Sequence, residues 1–479
     1  MPIEHPLLLA SAVELARRIR AREVSSRDVV EAHIARARAV NPSLNAIVAE
    51  RYESALDEAN AADAALRAGR SLGPLHGVPF TVKEAFALTG MPQCAGLVAR
   101  REYRATKDAT VVARVRQAGA IPLGVTNTSE LCMWMESNNR VYGRSSNPYD
   151  RTRIVGGSSG GEAAIVGSGA SPFGVGSDVG GSIRNPAFFN GVFGHKPTGG
   201  LVPNSGQFPA TESTEYGYLT TGPLCRRAED LMPLLELMAG PDGQDAVCRP
   251  MDLGNPADVD VGSLRVLHVA GNGFLSVSPD LTAAQEQVAR HLESRGARVE
   301  RRRFPRLRRS IEIWSAMLAD MGGEPFGVML GNGKHVNLWA QLPLWALGRS
   351  PHTLPALMLA LLERFAKASP RRLARFVEEG RALRAELVEA LGPDGVMLYP
   401  VYPETAPKHG WPLFPPIRWA YPAILNVMEM PATAVPLGLD SHGLPRGIQV
   451  AAAHGKDHLT IAVAMELERV FGGWVPPKT

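Results

Sequence analysis

The chemistry in this sequence sits on serines and one lysine. Two Gly/Ser turns, Gly156-Gly157-Ser158-Ser159-Gly160-Gly161 and Gly180-Gly181-Ser182, fall within residues 154–187. The only charged side chains of that stretch are Glu162, Asp178 and Arg184. A flexible linker would share the Gly/Ser content but not the enclosed apolar run Ala163-Ala164-Ile165-Val166. Glycines this dense mark backbone that must approach something closely or adopt φ > 0. Consecutive glycine N–H groups ahead of Ser182 could point at a developing oxyanion. A serine hydroxyl is a weak nucleophile until a base takes its proton.

A candidate base is Lys83, at the end of the apolar run Val78-Pro79-Phe80-Thr81-Val82. Burial disfavours the ammonium and lowers its pKa, and a neutral lysine amine can act as a general base. The competing reading is an ion pair with Glu84 or another carboxylate. Gly156-Gly157-Ser158-Ser159-Gly160 fits the G-x-S-x-G elbow, but that motif needs a strand directly before it, and residues 147–153 read as loop. The 154–187 stretch is a poor candidate for a phosphate loop, because it has no GK[ST] and no G-x-G-x-x-G after a strand. The residues alone point to a serine-based hydrolase. They do not choose between Ser158 and Ser182, and Ser182 would also suit a structural turn.

In combination, Lys83 in GVPFTVKE, Ser158 in GGSSGGEAA and Ser182 in GSDVGGSIRNPA resemble the amidase signature family, and the spacing of the two serines fits it. The resemblance runs over most of the chain, through the first helices, Lys107-Asp108-Ala109-Thr110-Val111-Val112, AGAIPLG at 118–124, Pro431-Ala432 and Gly443-Leu444-Pro445. Within the family, TNTSELCMW, YGRSSNPYD and FGHKPTGGLVPNSGQFP look most like the type-two fatty-acid amide hydrolases and their bacterial amidase relatives.

The resemblance implies a Ser–cisSer–Lys triad. Ser182 would be the nucleophile, Ser158 the proton relay behind a cis Gly157–Ser158 peptide, and Lys83 the base. It implies an oxyanion hole of backbone N–H groups from Val179, Gly180, Gly181 and Ser182. Ser159, Asp178 and Arg184 would support that site, with no metal or cofactor. The implied fold is one α/β/α domain over residues 1–479, built around a large mixed central sheet. The implied reaction is cleavage of amide C–N bonds, on apolar acyl amides or aryl anilides, through an acyl-enzyme; carbamates and esters are further options. The rival expectation, which shares the triad, is a glutamine amidotransferase component that works on aminoacyl-tRNA with partner chains.

These groups must be positioned by ordinary elements. Ala12, Leu15, Ala16 and Ile19 share one face of a helix over residues 11–22. Ser25-Ser26-Arg27-Asp28 opens a second helix, with Val30, Ile34 and Ala37 on one face. Residues 52–66 read as helix, 78–83 as a buried strand, 110–118 as helix, 121–125 as strand and 128–133 as a helix-like run. Residues 173–176, 264–269, 395–400, 431–436 and 447–451 read as further strands, and 281–295 as an amphipathic helix. Helices and strands in alternation argue for an α/β fold. Residues 311–365, rich in Trp, Met and Leu, read as a helical insertion that is either ordinary core or an apolar substrate channel. Met133 and Trp134, between the 121–125 strand and the Ser158 turn, are expected to line the substrate pocket with it. No internal repeat or linker divides the chain.

The totals exclude other classes. The chain has 479 residues, 45% hydrophobic and 20% charged, with a net charge of +4. That balance is globular and does not mark a nucleic-acid binder. The arginine-dense 299–309 run reads as a solvated connection, because no aromatic interleaving supports a nucleic-acid patch. Cys94, Cys132, Cys225 and Cys248 show no metal-ligand or CxxC spacing and read as small buried hydrophobes in a reducing compartment. No run reaches the roughly twenty apolar residues of a membrane span. The expectation is a cytoplasmic protein without a membrane anchor, acting on a small-molecule amide, with a homodimer as one option for its assembly.

Overall fold

The computed structural model describes residues 5–71, 73–210, 215–366, 369–413 and 417–478, so the ends of the expected 1–479 domain lie outside it. Among the described residues, eleven strands form one sheet. They are β1 (Ile47–Glu50), β2 (Pro79–Lys83), β3 (Ile121–Thr126), β4 (Phe173–Asp178), β5 (Phe193–Lys196) and β6 (Thr220–Cys225). The rest are β7 (Arg265–His268), β8 (Arg298–Arg301), β9 (Gly395–Tyr399), β10 (Ala432–Leu439) and β11 (Pro445–Ala452). Their order is β1-β3-β2-β4-β6-β5-β10-β11-β9-β7-β8. β2 runs parallel to both β3 and β4, and β7 runs parallel to β8 and β9. The pairs from β4 through β6, β5, β10 and β11 to β9 are antiparallel. The fold is a single α/β domain with a large mixed central sheet flanked by helices, as the sequence leads one to expect.

Successive side chains of a strand point to opposite faces, and the core follows that rule. Phe80, Val82, Phe173, Val175, Val396, Leu398, Ile448 and Val450 pack into one cluster with the Ala12–Arg20 and Thr110–Gln117 helices. On the other face Leu123, Leu224 and Ala434 join a second cluster with the Gly160–Gly167 and Arg184–Phe189 helices. Met397, Tyr399, Ala432 and Ala451 join a third, with the Ser310–Asp320, Pro370–Leu391 and Ala420–Val427 helices. Ser11 caps the first helix through the Glu14 N–H. Ser25 and Asp28 form a reciprocal capping box on the Ser26–Leu44 helix, which closes two of its orphan N–H groups.

Several expectations are corrected. Residues 128–133 are not a helix: Glu130–Cys132 make a 3₁₀ turn in which Leu131 and Cys132 take positive φ of 52° and 61°. Strands β1, β5, β6 and β8 carry no periodicity that marks them in the sequence. Residues 311–365 divide in two. The Ser310–Asp320 helix belongs to the third core cluster. Phe326, Leu330, Leu338, Ala356, Leu357 and Ala360 form a separate small cluster with Leu97 and Leu131. The arginine-dense run includes β8 and a 3₁₀ turn, with Arg301, Arg306 and Arg309 paired to Glu286, Glu386 and Glu312 in half-exposed positions. All four cysteines are buried and unbridged. No described helix is long and apolar enough to cross a membrane.

Candidate active site

Lys83 is the last residue of β2 and is fully buried. Its Nζ lies 2.6 Å from Ser158 Oγ and 3.0 Å from Ser177 Oγ. Burial pushes its pKa down, against weaker upward pulls from the Cys132 thiol, Asp178 and Glu162. Glu84, the alternative ion-pair partner, faces elsewhere: its carboxylate accepts the N–H groups of Cys94 and Ala95 and the Tyr142 hydroxyl. Beneath the lysine, burial raises the Glu162 carboxyl to about 8. Thr81 and, at 2.8 Å, Thr126 donate to it.

Ser158 follows a cis Gly157–Ser158 peptide. The Ser137 hydroxyl fixes this turn, within 3.1 Å of the Gly156 and Ser158 carbonyls, and accepts the Gly160 N–H at 3.0 Å. Glycine is required at 157, because a Cβ there would stand 2.1 Å from the Trp134 carbonyl oxygen. The Ser159 N–H donates to the Ser182 carbonyl at 3.1 Å, and its hydroxyl to the Ser177 carbonyl at 3.3 Å, so the two serine turns are laced together.

Ser182 sits in the turn between β4 and the Arg184–Phe189 helix and is 8% exposed. Its hydroxyl has no hydrogen-bond partner among the described residues, Ser158 included. Asp178 organises the turn from inside. Its carboxylate accepts the N–H groups of Gly181 (2.6 Å), Ile183 (3.0 Å) and Arg184 (3.3 Å) and pairs with the Arg184 guanidinium at 3.0 Å. Burial alone would raise the Asp178 carboxyl, but Arg184 and these donors hold it well below the usual carboxylate range. Asn426 and Gln449 each accept a further Arg184 N–H. Gly181, expected among the oxyanion donors, thus has its N–H engaged by Asp178. The N–H groups of Val179, Gly180 and Ser182 meet no acceptor among the described residues.

An open cleft lies against this turn. Gly157, Val179, Gly180 and Ser182 line one side, and Met133 and Trp134 another. Trp314, Leu359 and Trp419 close it with apolar surface, and Asn185 adds one amide. No lining residue carries a charge. Sequence reasoning does not mark Ser177, Asn185 or Trp419 as site residues, whereas Trp314 and Leu359 come from the 311–365 segment expected to line the pocket. Among the described residues no group of His, Cys, Asp and Glu could hold a metal ion.

A family model described as Amidase matches residues 28–461. The chain is 48% identical to fatty-acid amide hydrolase 2 of Homo sapiens, over 99% of this chain and 92% of that protein. It is 37% identical to indoleacetamide hydrolase of Bradyrhizobium diazoefficiens, over 66% of this chain and 60% of that protein. Among solved structures it superposes on 6-aminohexanoate cyclic dimer hydrolase with a TM-score of 0.81 and 26% identity, covering 98% and 99% of the two chains.

Proposed function

The chain belongs to the amidase signature family and hydrolyses amide C–N bonds outside peptides, and from that premise we propose that Ser182, Ser158 and Lys83 cleave amides whose acyl or aryl side is apolar. The observation that carries the reading is the 2.6 Å contact between a fully buried lysine amine and Ser158 Oγ, one turn away from an unpartnered hydroxyl at the cleft.

Neutral Lys83 takes the Ser158 proton as Ser158 takes that of Ser182, once substrate draws the two hydroxyls into contact. Catalytic hydrogen bonds commonly tighten only at that stage. Ser182 Oγ attacks the carbonyl carbon, and the N–H groups of Val179, Gly180 and Ser182 receive the oxyanion. The proton returns through Ser158 to the leaving nitrogen, and water then hydrolyses the acyl-enzyme by the reverse relay. Asp178, Arg184 and Ser159 hold the turns in place. Esters and carbamates pass through the same oxyanion. The uncharged cleft disfavours the amidotransferase reading, since it offers no charged partner to the α-ammonium or α-carboxylate of glutamine.

A chromogenic anilide series tests the proposal. Each buried CH₂ is worth about 0.8 kcal/mol, so two added acyl carbons should raise kcat/KM roughly tenfold until the cleft is full. Ser182→Ala should abolish turnover with the fold intact. Flat rates across acyl lengths, or a preference for glutamine, would count against it.

A further inference from the structure

We propose that Trp314 is a positioning residue for the oxyanion site, acting through the Val179–Gly180 peptide. The inference rests on the reading of Ser182 as nucleophile. Trp314 comes from the Ser310–Asp320 helix, far in sequence from the serine turns. Its indole N–H donates to the Val179 carbonyl at 2.8 Å. That peptide is trans, since the cis bonds lie at 157–158 and 208–209. In a planar trans peptide the C=O and the following N–H point in opposite directions. Anchoring the Val179 carbonyl on the indole therefore turns the Gly180 N–H away from it.

Asp178 and Trp314 thus claim different groups of the turn. Asp178 claims the N–H groups of Gly181, Ile183 and Arg184. Trp314 claims the carbonyl of Val179. The N–H groups left over belong to Val179, Gly180 and Ser182, all of which line the cleft. The indole is itself fixed. Its ring meets Trp419 edge-on, with centroids 4.5 Å apart and planes at 77°, and a Cβ at Gly180 would touch it at 3.4 Å. A buried indole N–H requires an acceptor, and here that acceptor is the carbonyl directly before the unclaimed Gly180 N–H. Fixed donors aimed at the developing charge are what lower the barrier, and losing one outright costs about 10²–10³ in kcat.

Trp314→Phe keeps a ring against Gly180 and Trp419 and deletes the donor. The expected result is a loss in kcat of about 10- to 100-fold with KM within about twofold. Inhibition by octylboronic acid, which forms a tetrahedral anion on a nucleophilic serine, should weaken by the same factor as kcat/KM. A raised KM with unchanged kcat, or unchanged boronate affinity, overturns the inference. Benzothienylalanine at position 314, which replaces the indole N–H by sulfur at nearly constant shape, covers the case in which Trp314→Phe misfolds. It should show the same kcat loss, and wild-type kcat would overturn the proposal. Fluorophosphonate labelling separates the two readings. If Ser182 of the wild-type enzyme is not labelled, the nucleophile assignment and this inference both fall. If it is labelled and the Trp314 variants turn over normally, this inference alone falls.

Discussion

Lys83 can accept a proton only while it is neutral, and burial without a carboxylate partner is what lowers its pKa. The neutral fraction grows with pH, so kcat/KM should climb through an apparent pKa below the free-lysine value of about 10.4. Lys83→Ala should remove both the climb and most of the activity; an active variant with the wild-type profile would defeat the assignment. Glu162 makes the opposite demand. Its folded pKa is raised by burial to about 8, so the folded state holds a proton that the unfolded state releases near the ordinary glutamate value of 4.5. Its contribution is complete below that value and is lost as pH rises toward 8. Thermal melts between pH 6 and 8 should therefore decline more steeply for wild type than for Glu162→Gln, which stays neutral. Equal slopes would show that Glu162 is ionised throughout. Lysine and serine are legible in the sequence as types that could do this chemistry. The glutamate's neutrality is not, because it comes from complete burial under the closed sheet, which outweighs the Thr81 and Thr126 donors that favour the ionised form.

The Asp178–Arg184 turn shows how an element is built around buried charge. Neither side chain of the pair is exposed. Asp178→Asn leaves the guanidinium buried without its counter-charge, a change that typically costs about 3–5 kcal/mol. The expected outcome is a much lower Tm and loss of activity together, checked by calorimetry beside an anilide assay; an unchanged Tm would mean the pair is not what holds the turn. At this scale the sequence is an uneven guide. Glycine spacing locates both serine turns, and apolar runs locate β2, β3 and β9. Strands β5 and β6 are also buried throughout, but Gly194, His195 and Lys196 in one and Thr220, Thr221, Gly222 and Pro223 in the other break up the continuous apolar run that marks a fully buried strand. Residues 128–133 carry helix-compatible side chains, yet Leu131 is held at positive φ with its N–H on the Ala95 carbonyl. A contact with a distant strand connection overrides the local pattern.

Across the whole molecule the sheet is flanked by three large apolar clusters, and the small cluster around Leu357 stands apart from them. Leu359, in the same helix, reaches the cleft, and Glu130 tethers this region by accepting from His352 and the Thr353 N–H at 2.8 and 2.7 Å. Leu357→Ala should cost about 2–5 kcal/mol locally. Amide exchange should quicken over residues 326–364 while β2, β4 and β10 keep their protection; uniform loss of protection would instead make this cluster part of the main core. The sequence by itself determined the chemical inventory, the close-approach glycines, the α/β class and the family. These follow from residue type and short-range spacing, which the chain carries wherever it folds. Tertiary structure decided which turn N–H groups remain unclaimed, that Lys83 faces Ser158 and not Glu84, and that Trp314 reaches the Val179 carbonyl across 135 residues. Each of these depends on burial and on hydrogen bonds between distant segments, and no local pattern encodes which donor will meet which acceptor once the sheet has closed.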